Sequence, residues 1–122
     1  MSDVDTANKK FRKELNSGTV SLVLLGVLGR ASEPMYGYQI AKSIDTPDGN
    51  APMMKQGALY PVLRSLESNG LLASRVEPSV SGPPRRYYGI TAAGRQALAQ
   101  WEVIWKQTKT FVDEALKGIE NV

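Results

Sequence analysis

Apolar and polar positions fall in blocks along this chain, and each change of period marks a predicted element. Over residues 4–16, Val4, Ala7, Phe11 and Leu15 recur at three- and four-residue spacings with Lys9, Lys10, Arg12 and Lys13 between them. That spacing predicts a short amphipathic helix, which Asn16-Ser17-Gly18 is expected to break. From residue 19 to 28 the chain is apolar nearly all round, as suits a helix buried on most of its surface, and Gly29 is its expected stop. In "SEPMYGYQIAKSI" Ser32 is a predicted cap and Pro34 fits a first turn, with Ile40, Ala41 and Ile44 as an inward stripe. Residues 45–54, "DTPDGNAPMM", are rich in turn formers and predict a loop.

The stretch "KQGALYPVLRSLESNGLL" carries the clearest helical signal. Leu59, Val62, Leu63 and Leu66 follow the i, i+3, i+4, i+7 template, and Asn69-Gly70 ends it. Pro61 is tolerated only near the N-terminal end, so the helix is expected to begin at about Gly57 or Ala58. Its outer face carries Gln56, Tyr60, Arg64, Ser65 and Ser68. "LLASRVE" then alternates as a strand, "PSVSGPP" turns, and "RRYYGI" returns as a second strand. Thr91 caps a long helix predicted over residues 92–119. On it Leu98, Trp105, Val112 and Ile119 recur every seven residues, and Trp101, Thr108 and Ala115 follow three positions after the first three of them. The order predicts a mainly α fold with a small two-stranded β wing: a winged helix-turn-helix over residues 1–90 and a dimerisation helix over residues 91–122.

Composition narrows the chemistry. At 122 residues the chain has room for one modest core, and its net charge of +3 (pI near 9.3) is compatible with nucleic acid without requiring it. It has no Cys and no His, which removes disulfides, His-based zinc sites and histidine-dependent catalysis. No clustered carboxylates stand in for them, so no enzyme and no cofactor is expected. The longest apolar run, residues 20–28, is too short to cross a bilayer, and "MSDVDTANKKFRKE" lacks the apolar core of a signal peptide. A cytoplasmic protein is expected.

Position in the predicted fold then separates two uses for the polar residues. The second helix of a helix-turn-helix enters the major groove, where Gln56, Tyr60 and Arg64 suit base edges and phosphates; the same residues also suit a plain solvated face. Arg85 and Arg86, beside a stiff Gly-Pro-Pro turn and opposite Arg75, suit phosphate or a minor groove. Charge near a hairpin end also discourages edge-to-edge pairing. Alternation from an inward Ile90 places Arg86 and Tyr88 on the inner side and Arg85 outward. On the last helix the stripe Leu98, Trp101, Trp105, Val112 and Ile119 fits a dimer seam or the chain's own core. Trp101 and Trp105, one turn apart, either pack structurally or, with Phe11 nearby, sandwich a planar aromatic ligand.

"YGYQI", "QGALYPVLRSLESNGLL" and "GPPRRYYGITAAG" resemble, in order and spacing, the signature stretches of the PadR family of bacterial transcriptional regulators. The resemblance covers about residues 10–117. It implies a winged helix-turn-helix homodimer that binds operator DNA, usually represses nearby genes and releases DNA on sensing a small molecule. It further implies that Tyr36, Gln56, Tyr60 and Arg64 contact bases or phosphates and that Arg85 and Arg86 hold the wing on the backbone. The single long C-terminal helix is similar to that of the family's shorter subgroup, in which a Trp stacks planar drugs at the dimer centre. Trp105, fourteen residues beyond Thr91, matches that Trp, and Trp101 is an additional ring that enlarges the stacking surface or fills the space. A winged helix that binds a protein instead of DNA is the competing expectation.

Overall fold

The computed structural model describes residues 2–44 and 56–119. Along the chain run α1 (Asp3–Arg30), β1 (Met35–Tyr36), α2 (Gly37–Ile44), α3 (Gln56–Ser68), β2 (Leu72–Glu77), β3 (Arg85–Ile90) and α4 (Ala92–Ala115). The three strands form one antiparallel sheet in the order β1-β3-β2. The predicted loop over residues 45–54 lies outside the described residues.

α1 is one continuous helix, where a break at residues 16–18 was expected. Ser2 caps it, accepting the Asp5 N–H at 3.1 Å, and Asp3 and Asp5 complement the positive end of the helix dipole. Gly18 costs only about 1 kcal/mol relative to Ala. Burying Val20, Leu24, Leu25 and Leu28 contributes about 1.5–3 kcal/mol each, so the anchored half carries the helix through. The Thr19 hydroxyl donates to the Leu15 carbonyl at 2.9 Å across the same turn.

The second difference lies at Met35 and Tyr36. Helix was expected from Ser32 onward, yet these two residues pair with β3, Met35 opposite Tyr88 and Tyr36 opposite Tyr87. The hairpin thus gains a third strand. Its cause is the edge that β3 offers: two residues satisfy their backbone there and bury Met35 against the core. Helix starts only at Gly37, where the Gln39 side-chain oxygen accepts the Tyr36 N–H at 3.1 Å.

α3 begins one residue ahead of the expected start and ends as its sequence foretold. Gly70 takes φ 79°, its N–H reaching the Glu67 carbonyl and the Leu71 N–H the Leu66 carbonyl, both at 2.9 Å. That end is stitched to the start of α4. Thr91 donates its N–H to the Leu71 carbonyl at 3.1 Å and its hydroxyl to the Gly70 carbonyl at 2.7 Å. The same hydroxyl accepts the Gly94 N–H at 3.0 Å. α4 stops at Ala115, earlier than expected, so Ile119 lies beyond the helix. The turn that follows includes Gly118 at φ 85°, and an α-helix cannot continue through that conformation.

Leu24, Leu25, Ile40, Leu59, Leu63 and Leu72 are the largest fully buried side chains, drawn from α1, α2, α3 and β2. Among the described residues no charged side chain is buried, and the Tyr88 hydroxyl is the one polar side-chain group within the core. The charged groups available for recognition are therefore all at the surface.

Candidate nucleic-acid interface

α3 turns Leu59, Leu63 and Leu66 inward, which leaves Arg64, Ser65 and Ser68 exposed and Tyr60 36 % exposed. Gln56 is the first residue of the helix. Tyr60 has a packing task that its sequence position hid. A Cβ on Gly37 would strike the Tyr60 hydroxyl and come within 2.8 Å of its ring carbons. The Tyr-Gly-Tyr stretch where β1 passes into α2 and the Leu-Tyr-Pro stretch of α3 are thus two halves of one contact, and Gly37 is the room Tyr60 needs.

The link between β2 and β3 is closed by Ser79, whose hydroxyl donates to the carbonyls of Gly82 and Pro83, both at 2.9 Å. Gly82 adopts φ 129°, open to glycine alone at little cost. The two arginines that follow face opposite ways, as alternation predicts.

Arg85 lies on the outer face, its guanidinium carbon 4.4 Å from the centroid of the Tyr36 ring. Tyr87 meets Tyr36 edge-on at 5.4 Å, Tyr38 stacks on it at 6.5 Å, and the Lys42 ammonium sits 5.7 Å over Tyr38. A connected run of rings with a cation at each end therefore extends from α2 to the wing. Lys42, Tyr38 and Tyr87 were absent from the sequence candidates. Alternation already sets Tyr87 beside Arg85, but only the pairing of β1 brings Tyr36 to them.

Arg86 lies on the inner face, where it donates to the Ser74 hydroxyl at 3.0 Å, and Ser74 donates to the Glu67 carboxylate at 2.7 Å. Burial pushes the Tyr88 hydroxyl above its ordinary pKa. The positive charges of Arg86 and Arg64 oppose that rise, while Glu67 and Tyr60 add to it. The candidates Tyr60, Arg64 and Arg86 thus act electrostatically on one buried tyrosine, whereas Tyr36 and Arg85 meet on the opposite side of the strand. Glu77, directly across from Arg85, is held instead by Arg75 at 2.8 Å. Among the described residues, Arg64, Arg85 and Arg86 make no ion pair.

A second surface lies between α1 and α4. A groove of about 570 Å³ is lined chiefly by Leu15, Leu22, Trp101, Ile104 and Trp105. Trp101 also packs on the core, while Trp105 is 41 % exposed. Leu98 packs against the chain's own core, next to Gly29, which it would crowd if a Cβ stood there. Val112 and Phe111 stay exposed on the far half of α4, as does Phe11 on the far half of α1; Phe11 does not line the groove. Among the described residues no group of three or more Asp and Glu side chains is placed to hold a metal ion.

A short two-helix motif with an antiparallel wing, flanked by two long helices, defines a winged helix-turn-helix protein. The chain belongs to the PadR-like family of transcriptional regulators, which it matches over residues 24–100. Members of that family are regulators of transcription and not enzymes. A PadR family regulator from Eggerthella lenta is similar over 94 % of this chain and 96 % of its own, with 35 % identity and a TM-score of 0.72. A transcriptional regulator of Mycobacterium tuberculosis is 50 % identical over 44 residues, and this match spans 36 % of the chain and only 40 % of that relative. The fold is also that of Bacillus subtilis PadR, solved in complex with operator DNA. That likeness has 24 % identity and a TM-score of 0.61, over 70 % of this chain and 47 % of the other. Among the described residues no helix is long and apolar enough to cross a membrane.

Proposed function

We propose that this regulator is a cytoplasmic, homodimeric repressor that binds double-stranded operator DNA through α3 and the wing. The observation that carries this reading is the arrangement of Arg64, Arg85 and Arg86. They lie on the exposed side of α3 and on the adjoining wing, and none of them is neutralised by a carboxylate among the described residues. Such cations release condensed counterions when they meet phosphate, which drives binding and makes it salt-dependent. In this reading Gln56, Tyr60 and Arg64 belong to the recognition helix and would meet base edges or phosphates, and Tyr36 and the wing arginines would meet phosphates. The operator complex of Bacillus subtilis PadR supports the same use of the shared fold.

In this reading residues 1–90 bind DNA and residues 91–122 dimerise. The unpartnered apolar side chains support a second copy as their cover: Phe111 is 76 % exposed, Val112 43 % and Phe11 62 %. Trp101, Trp105, Val112 and Leu98 would lie at or beside that seam, with Ile119 past the helix end. Two-fold pairing suits operators built of two related half-sites. The groove beside Trp101 and Trp105 supports a planar aromatic effector whose binding releases the DNA, since its walls are apolar and its rings partly bare.

The test is a mobility shift on the DNA upstream of the protein's own gene, with and without a panel of planar aromatic compounds. Wild type is expected to retard the fragment, the Arg64→Ala/Arg85→Ala double variant to fail, and at least one compound to release the complex. A wild-type chain that leaves the fragment unshifted would favour a winged helix that binds protein.

A further inference from the structure

The two arginines at the start of β3 are neighbours in sequence and strangers in structure. Arg85 is bound to an aromatic ring and, among the described residues, to no acid. Its guanidinium sits 4.4 Å from the Tyr36 centroid, and Glu77, its cross-strand neighbour, is held by Arg75. A ring holds a cation without neutralising it, so this guanidinium keeps its full charge and its outward N–H groups. The ring itself is fixed, with β1 paired to β3 and Tyr87 set edge-on against it at 5.4 Å. Arg86, by contrast, spends one N–H on Ser74, and Ser74 hands the connection on to the Glu67 carboxylate at 2.7 Å. That path ties the inner arginine to α3 and sets an anion one hydroxyl away from it.

We infer that the two wing arginines have different tasks. Arg85, positioned by Tyr36, is the principal phosphate contact of the wing, and Arg86 is held back by Glu67 through Ser74. Tyr36 is then a positioning residue that acts through Arg85, and Glu67 is a restraint on how strongly the wing grips DNA. The inference rests on the DNA-binding role proposed above and refines it.

Salt dependence separates the two arginines, because the slope of log K against log salt counts phosphate contacts at about 0.9 each. Anisotropy titrations of the full chain on a labelled duplex, across a salt series, supply the slopes. Arg85→Ala should flatten the slope by about 0.9 for each wing in contact, and Arg86→Ala by less than half as much. Tyr36→Leu should weaken binding about two- to fivefold per wing, the reach of an exposed cation–ring contact. Tyr36→Phe, which keeps the ring and drops the hydroxyl, should retain most of what Tyr36→Leu loses. Glu67→Gln should steepen the slope, and that gain should vanish in the Glu67→Gln/Arg86→Ala double variant.

Equal flattening by both arginine variants would overturn the inference, as would Tyr36→Phe losing as much as Tyr36→Leu. A Glu67→Gln gain that persists without Arg86 would overturn it too. A wild-type chain with no salt-dependent affinity for any duplex sinks the DNA-binding role itself, and this division of labour with it.

Discussion

Gly94→Ala probes the joint that hangs α4 on the winged helix-turn-helix motif. Gly94 sits in the first turn of α4, where alanine would ordinarily be preferred by up to about 1 kcal/mol. Here a Cβ would collide with the Leu71 carbonyl oxygen and come within 2.7 Å of Ile90 Cγ1 and 3.1 Å of the Leu71 carbonyl carbon. That carbonyl cannot step aside cheaply, because it accepts the Thr91 N–H at 3.1 Å and follows directly on the closing turn of α3. Overpacking against a rigid neighbour costs about 1–3 kcal/mol, and more where backbone must shift. After the propensity gain is subtracted, the expected net loss is about 2 kcal/mol, or about 8 °C in Tm for a domain of this size. Gly18→Ala is the control: nothing lies within 4 Å of a Cβ there, so it should stabilise by about 0.5–1 kcal/mol. Urea denaturation at one fixed protomer concentration measures both, since dimerisation would otherwise shift the midpoints. A Gly94→Ala chain as stable as wild type would show that the approach of α4 to Leu71 is not rigid, and the argument for this joint would fail.

Two further outcomes follow from other sites. Folding raises the Tyr88 pKa, so the folded chain holds that proton more tightly than the unfolded one. The resulting stability is fully present below about pH 10 and is lost as pH climbs through the raised value. Above about pH 10 the wild type should therefore lose more stability than Tyr88→Phe; parallel curves would remove burial as the cause of the shift. Trp105→Ala combined with Phe111→Ala should halve the mass seen by light scattering and abolish quenching of the remaining tryptophan by planar aromatic compounds. A variant that stays dimeric would move the seam away from the far half of α4.

What the sequence revealed and what it hid divide along the range of the forces involved. Long elements with strong periodicity, such as α3 and α4, were readable because many residues repeat one message. So was the closing turn at Asn69-Gly70, which depends on local backbone geometry alone. The unbroken α1 was hidden because Asn16-Ser17-Gly18 states a local preference, and burial of the next ten residues outweighs it. β1 was hidden for a complementary reason. Two residues have no period, and they become a strand only because β3 presents an edge from fifty residues away.

The candidate site shows the same division. Arg64, Arg85 and Arg86 could be picked out one at a time by their charge and position. Their partners could not, since the Tyr36 ring under Arg85 and the path from Arg86 through Ser74 to Glu67 exist only once the sheet is assembled. Tyr60 illustrates the cost of reading type without contact: its ring packs on Gly37 while its edge remains available at the surface.

The most direct test of the central claim is a hydroxyl-radical footprint of the full chain on the DNA upstream of its own gene. A dimer that reads DNA through α3 and the wing should protect two symmetry-related tracts about 10–10.5 base pairs apart, or a multiple of that spacing. Absence of protection at saturating protein, or a single isolated tract, would contradict it.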